Sequence, residues 1–166
     1  MKRVSMVIMI AIMISGCDYK YKSHCKKAKY ISVKELRANY PKVSAPREVE
    51  KAAKIYNYLD GDIILINEKN KGIHVINNRV RETPQNVAFI EIPGNVDMAV
   101  KDGYLYVDSF TDLVVLDIRD IAHIKTVNRK EDIFHSNPYQ MNLSKDDGEC
   151  YDYDYSQHGF FVIGTM

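Results

Sequence analysis

The side chains with the greatest chemical capacity crowd toward one end of the chain. Between positions 146 and 158 stand Asp146, Asp147, Glu149, Asp152, Asp154 and His158, with His135 upstream. Alternation in "YDYDY" would set both of its Asp side chains on one face of a strand. Carboxylates grouped this way can ligate Ca²⁺, which takes six to eight oxygen ligands. The spacing does not follow the calcium loop of an EF-hand, because both the D-x-[DN]-x-[DN]-G order and the closing Glu are missing. A solvated acidic loop accounts for the segment, so no metal site and no cofactor are expected. The chain also lacks G-x-S-x-G, H-E-x-x-H, the P-loop and G-x-G-x-x-G. His74 and His123 fall in predicted strands, where a packed or surface imidazole is the ordinary case. Asp108 and Asp117 flank apolar runs and suit the backbone amides of turns and strand ends. No catalytic residue is assigned, and no intrinsic catalysis is expected.

A different chemistry is written at the N-terminus. Lys2 and Arg3 precede a largely apolar run from Val4 to Ile14, and Ser15-Gly16 supply small side chains before Cys17. Eleven residues are too few to span a bilayer, which needs about 20 in a helix. Charged, apolar and small regions in this order define a secretory signal. Ile14-Ser15-Gly16-Cys17 resembles the lipobox of bacterial lipoproteins, which implies cleavage before Cys17 and acylation of its thiol. Residues 1–16 are then a signal peptide, and the mature chain is held at a membrane by acyl chains. Each buried methylene of such a chain contributes about 0.8 kcal/mol. The resemblance places the protein in the bacterial cell envelope without choosing between inner and outer membrane. Export exposes the other two cysteines, Cys25 and Cys150, to an oxidising compartment. A disulfide between them and a pair of free thiols are both compatible with the sequence.

Composition is that of an ordinary globular protein: 166 residues, 46% hydrophobic and 27% charged. Without Lys2 and Arg3 the balance is 21 basic against 22 acidic side chains, which gives no footprint for nucleic acid. Twelve Tyr and five Phe with no Trp favour pleated, half-buried surfaces. Residues 17–51 read as tether and connector: "DYKYKSHCKKAK" is basic and aperiodic, "SVKEL" has capping-box spacing for a short helix, and Pro41 and Pro46 mark extended chain.

The body of the chain repeats itself. "YLDGDIILINEKNKGIHVIN" (58–77) aligns with "VKDGYLYVDSFTDLVVLD" (100–117), so that Asp60-Gly61 meets Asp102-Gly103 and Ile64-Leu65-Ile66-Asn67 meets Leu105-Tyr106-Val107-Asp108. Gly61 and Gly103 are 42 residues apart, and Ile73 and Leu113 are 40 apart. A strand precedes each Asp-Gly turn and another follows each hairpin, giving four short strands per copy. A period near 40 with four strands is the signature of a β-propeller blade. Residues 52–94 and 95–130 are the two repeats, and Leu105, Val107, Val114 and Leu116 should point into the core between them.

"GYLYVDSFTDLVVLDI" resembles the LVIVD repeat of exported bacterial proteins, with Leu113-Val114-Val115-Leu116-Asp117 as the name-giving pentapeptide and Ile73-His74-Val75-Ile76-Asn77 as a degenerate copy. The resemblance covers about 31–134 and implies an all-β chain of antiparallel four-stranded sheets, about two blades plus an incomplete third. It carries no reaction. Residues 131–166 depart from the pattern as an irregular acidic, Tyr-rich segment ending in "FFVIG", expected to be a strand without a hairpin partner. The reading is an envelope lipoprotein with a binding or scaffold module, partnered by the membrane and by another envelope protein or by itself through open sheet edges. A propeller hydrolase of envelope or extracellular glycans and a shortened, non-functional product are the alternatives.

Overall fold

The computed structural model describes residues 29–134 and 160–162. Among the described residues the chain is all-β, with two main antiparallel sheets, a separate two-stranded pair and one short α-helix. In order come β1 (Lys29–Ile31), α1 (Val33–Asn39), β2 (Lys42–Ser44), β3 (Ala52–Tyr58), β4 (Ile63–Glu68), β5 (Gly72–Asn77), β6 (Gln85–Glu91), β7 (Met98–Lys101), β8 (Tyr104–Ser109), β9 (Asp112–Asp117), β10 (Lys125–Lys130) and β11 (Phe160–Val162). The first sheet has the order β2-β6-β5-β4-β3 and the second β10-β9-β8-β7.

Each meander forms as alternation and turn chemistry require. Asp102 and Gly103 both have positive φ, which a two-residue hairpin turn needs to match strand twist, and Lys101 pairs with Tyr104 around them. The corresponding turn of the first sheet is a wider one over Leu59–Gly61, with Tyr58 opposite Ile63. Gly72 is the glycine the fold most needs. Its φ is 146°, and a Cβ there would lie 2.0 Å from the carbonyl oxygen of Ile90.

Registers show that the sheets are copies. Ile63 opposes Asn77 as Tyr104 opposes Asp117. Asn78 donates its amide to Asp62 O (2.8 Å) as Ile118 does to Gly103 O (3.0 Å). Asn77 and Asp117 each accept the amide two residues on, from Arg79 and Arg119. Both last strands carry a bulge at the same place, Val75/Ile76 against Ala88/Asn86 and Val115/Leu116 against Asn128/Thr126.

The two sheets bury one continuous core. Ile63, Leu65, Ile73 and Val75 from the first meet Leu105, Val107, Val114 and Leu116 from the second, all at most 1% exposed. At about 25 cal/mol per Å² of apolar area, such side chains contribute roughly 1.5–3 kcal/mol each. The edge strands β3 and β7 adjoin: the Tyr56 hydroxyl donates to Val100 O (3.2 Å) and Lys54 pairs with Asp97.

Three expectations need correction. The first sheet has a fifth strand, β2, inside what reads as connector; Ser44 opposes Phe89 and its hydroxyl donates to Phe89 O. His123 is not in a strand. It sits in the turn before β10, where its amide donates to Asp120 O and its ring to the Asp120 carboxylate (2.7 Å). The late strand β11 is not left without a partner, because it pairs antiparallel with β1. The helix agrees with its spacing: the Ser32 hydroxyl accepts the Glu35 amide at 3.1 Å, the first half of a capping box.

Candidate functional site

Two buried polar centres and one open apolar face carry what chemistry the described residues offer. The first centre is Asp112, at the start of β9 and 1% exposed. Its Oδ1 accepts from Arg37 Nη2 (2.8 Å) and the Asp132 amide (3.1 Å), and its Oδ2 from Arg37 Nε (3.0 Å) and Arg129 Nη1 (2.7 Å). Burial opposes its charge, yet the Arg37 fork and these further donors hold its pKa below the ordinary aspartate value. Arg129 also donates to Tyr40 O, and Arg37 reaches Glu131 and Asp132. The centre thereby clamps α1 to the second sheet. Every oxygen is taken by the protein itself, which leaves no coordination position for a substrate.

The second centre lies on the outer face of the first sheet. Glu68 Oε1 accepts the amides of Glu50 (2.8 Å) and Lys51 (2.7 Å), and Oε2 accepts Arg47 Nη2 (3.0 Å). His74, 0% exposed, places Nε2 3.4 Å from that Oε2 and Nδ1 3.4 Å from the Asn86 amide nitrogen. The Arg47 guanidinium lies 3.7 Å above the Phe89 ring, a cation–π contact. Burial drives the His74 pKa down against the pull of Glu68, which disfavours the charged ring. The Glu68 carboxyl is opposed by burial but kept ionised by the Lys51 and Glu50 amides. An imidazole beside a carboxylate has the parts of an acid–base pair. This one is sealed under residues 47–51, and its geometry is that of a latch holding the connector on the sheet.

The open face is the outer side of the second sheet. Tyr104, Tyr106, Leu113, Val115 and Val127 line a depression of about 350 Å³ rimmed by Asn128 and Lys130. Val127 is 47% exposed, and the Arg119 guanidinium stands 5.2 Å from the Tyr104 ring.

Asp108 and Asp117 do the backbone work their positions imply. Asp108 Oδ1 accepts the amides of Val96 and Asp97 and the Asn95 side chain, each at 2.9 Å, and Asp117 accepts from Arg119. His74 is packed, as expected of it. Cys17, Cys25, Cys150, His135 and the acidic cluster from Asp146 to His158 lie outside the described residues. Among the described residues no group of three or more His, Cys, Asp or Glu could hold a metal ion, and no helix is long and apolar enough to cross a membrane. Asp112, Glu68 and the Tyr104/Tyr106 face escape a reading of the sequence. Only the face had a signal there, the alternation of Tyr104 and Tyr106 with buried Leu105 and Val107. Comparison with protein-family models, curated proteins and solved structures finds no match to this chain. The class that fold and surface define is therefore an all-β protein of two stacked antiparallel sheets.

Proposed function

We propose that this chain is a lipid-anchored protein of the bacterial cell envelope whose propeller-like β module binds or scaffolds another macromolecule through the outer face of its second sheet. The observation that carries the binding role is that face: two tyrosines, a leucine and two valines around an open depression, with Val127 47% exposed. Tyrosine is enriched in binding surfaces because one ring offers apolar area and a polar tip. Support for the anchor is the Ile14-Ser15-Gly16-Cys17 sequence, and support for the propeller-like class is the matched registers of the two sheets. The clamps at Asp112 and Glu68 give the module the rigidity a scaffold needs.

Two measurements in cells test the reading. Cys17→Ala should abolish fatty-acid labelling and release the protein from the membrane fraction; undiminished labelling overturns the anchor. A photo-reactive side chain at position 106 should yield a discrete cross-linked species, whereas one at the Asp102 turn should not. Equal yields at the two positions, or none at 106, overturn the binding surface.

A further inference from the structure

We infer that the partner of this surface is a second copy of the same chain, docked head to tail so that the outer face of one copy's second sheet covers the outer face of the other copy's first sheet. The inference rests on reading that surface as a binding face; the occupant is argued from the interface already present inside the chain.

The matched registers make Tyr104, Tyr106, Leu113 and Val115 the equivalents of Ile63, Leu65, Ile73 and Val75. In the first sheet those positions face inward and cover the second sheet. Their equivalents face outward. Conversely, Leu105, Val107 and Leu116, which the first sheet covers, correspond to Ile64, Ile66 and Ile76 on its own outer side. The sheets are thus stacked front to back: one sheet's front covers the next sheet's back. Among the described residues that leaves one front, on the second sheet, and one back, on the first, open at opposite ends of the stack.

The residues on the open back suit the task. Ile64, Ile66 and Ile76 are half-buried aliphatics, as the inward Leu105, Val107 and Leu116 are aliphatic. Ile55, which opposes Ile66, is 60% exposed. His74 is the mismatch, standing where the second sheet has Val114. It is already roofed by the Arg47 segment and takes no part, so the available back is the half of the sheet nearest β3. A front that fits a back within the chain should fit the same kind of back on a neighbour. Such a contact is heterologous, using different surfaces on the two partners.

Light scattering on the purified full-length chain in detergent, corrected for bound detergent, tests this with two variants, Tyr106→Lys on the front and Ile66→Lys on the back. Wild type should have a protein mass of two or more chains, and each variant that of one. An equimolar mixture should return to two chains, because one variant keeps an intact back and the other an intact front, while the remaining Lys-to-Lys contact stays open. Both sites are half-exposed, so a cooperative melt close to wild type is expected; a variant without one is replaced by Val115→Lys or Ile64→Lys. Wild type of single-chain mass, a variant that keeps the wild-type mass, or a mixture that stays at one chain overturns the proposal. None of these touches the cross-linking test of the surface itself, so the two readings fail separately.

Discussion

Asp112→Asn replaces one accepting oxygen of a buried carboxylate with an amide that can only donate toward the guanidinium groups around it. The native oxygens receive Arg37 Nε and Nη2, Arg129 Nη1 and the Asp132 amide, at 2.7–3.1 Å. Breaking a buried ion pair by removing one partner costs about 3–5 kcal/mol. Here water still reaches the guanidinium groups, 21% exposed for Arg37 and 13% for Arg129, and Arg37 keeps Glu131 and Asp132 as partners. The lower end, about 3 kcal/mol, is therefore expected. For a domain of roughly 100 residues, with about 4–8 °C per kcal/mol, Tm should fall by about 12–24 °C. The pH dependence gives an independent check. Asp112 has a folded pKa below its unfolded value, so its stabilisation is complete above the unfolded pKa near 3.9 and is lost as pH falls through the folded one. Thermal melts followed by circular dichroism should show the gap between wild type and Asp112→Asn closing as pH drops below about 4. A shift of less than about 3 °C at pH 7, or a gap that does not close in acid, would refute the clamp.

Asp108→Asn should behave in the opposite way: burial raises the Asp108 pKa and all three of its neighbours bond to Oδ1, which an amide oxygen reproduces, so urea unfolding at pH 7 should change by less than about 1 kcal/mol. A loss comparable with Asp112→Asn would show that the charge itself is needed. For His74 the folded pKa lies below 6.5, so the unfolded chain binds the proton first and stability should fall as pH drops below about 6.5; His74→Gln should flatten that slope, and an unchanged slope would place the proton uptake elsewhere. Val114, 0% exposed at the centre of the core, should lose about 3–5 kcal/mol when changed to Asp, and a melt within a few degrees of wild type would contradict the stacked sheets.

What the sequence made legible was the local code. Asp-Gly turns, alternation in "YLYVDS" and "LVVLD", and the spacing of the two hairpins specify strands that pair with their neighbours, and those strands are present where they were expected. The misses are non-local. β2 is three residues long and flanked by prolines, too short for a periodicity, and its partner β6 lies beyond the whole first hairpin. Asp112 and Arg37 are 75 residues apart, and nothing in "SFTD" or "ELRAN" says that they meet. Glu68 reads as the first polar residue of a turn, "EKNKG", but it is 1% exposed because residues 47–51 fold back over it. Polar centres of this kind form from partners brought together by the chain's path, and a window along the sequence holds only one partner at a time.

The same limit explains why face assignment needed three dimensions. Alternation says that each strand has two faces but not which face of one sheet meets which face of the next. Had equivalent positions met, Leu65 would have packed against Tyr106, and the pair of sheets would have been a closed sandwich with one shared core and two solvated exteriors. The observed stagger instead sets Leu65 among Leu105, Val107 and Leu116. Asn95 helps to fix it: its side-chain Oδ1 accepts from Asn67 Nδ2 on the first sheet, and its Nδ2 donates to Asp108 Oδ1 on the second at 2.9 Å. Asn67 and Asp108 are themselves equivalent positions, so one connector residue binds the same position of both sheets. A stack built this way has a direction, and its two ends differ. Apolar area at such ends is complementary rather than identical, which is why a neighbour related by head-to-tail docking, and not by a twofold contact of like faces, is the one the packing inside the chain already describes.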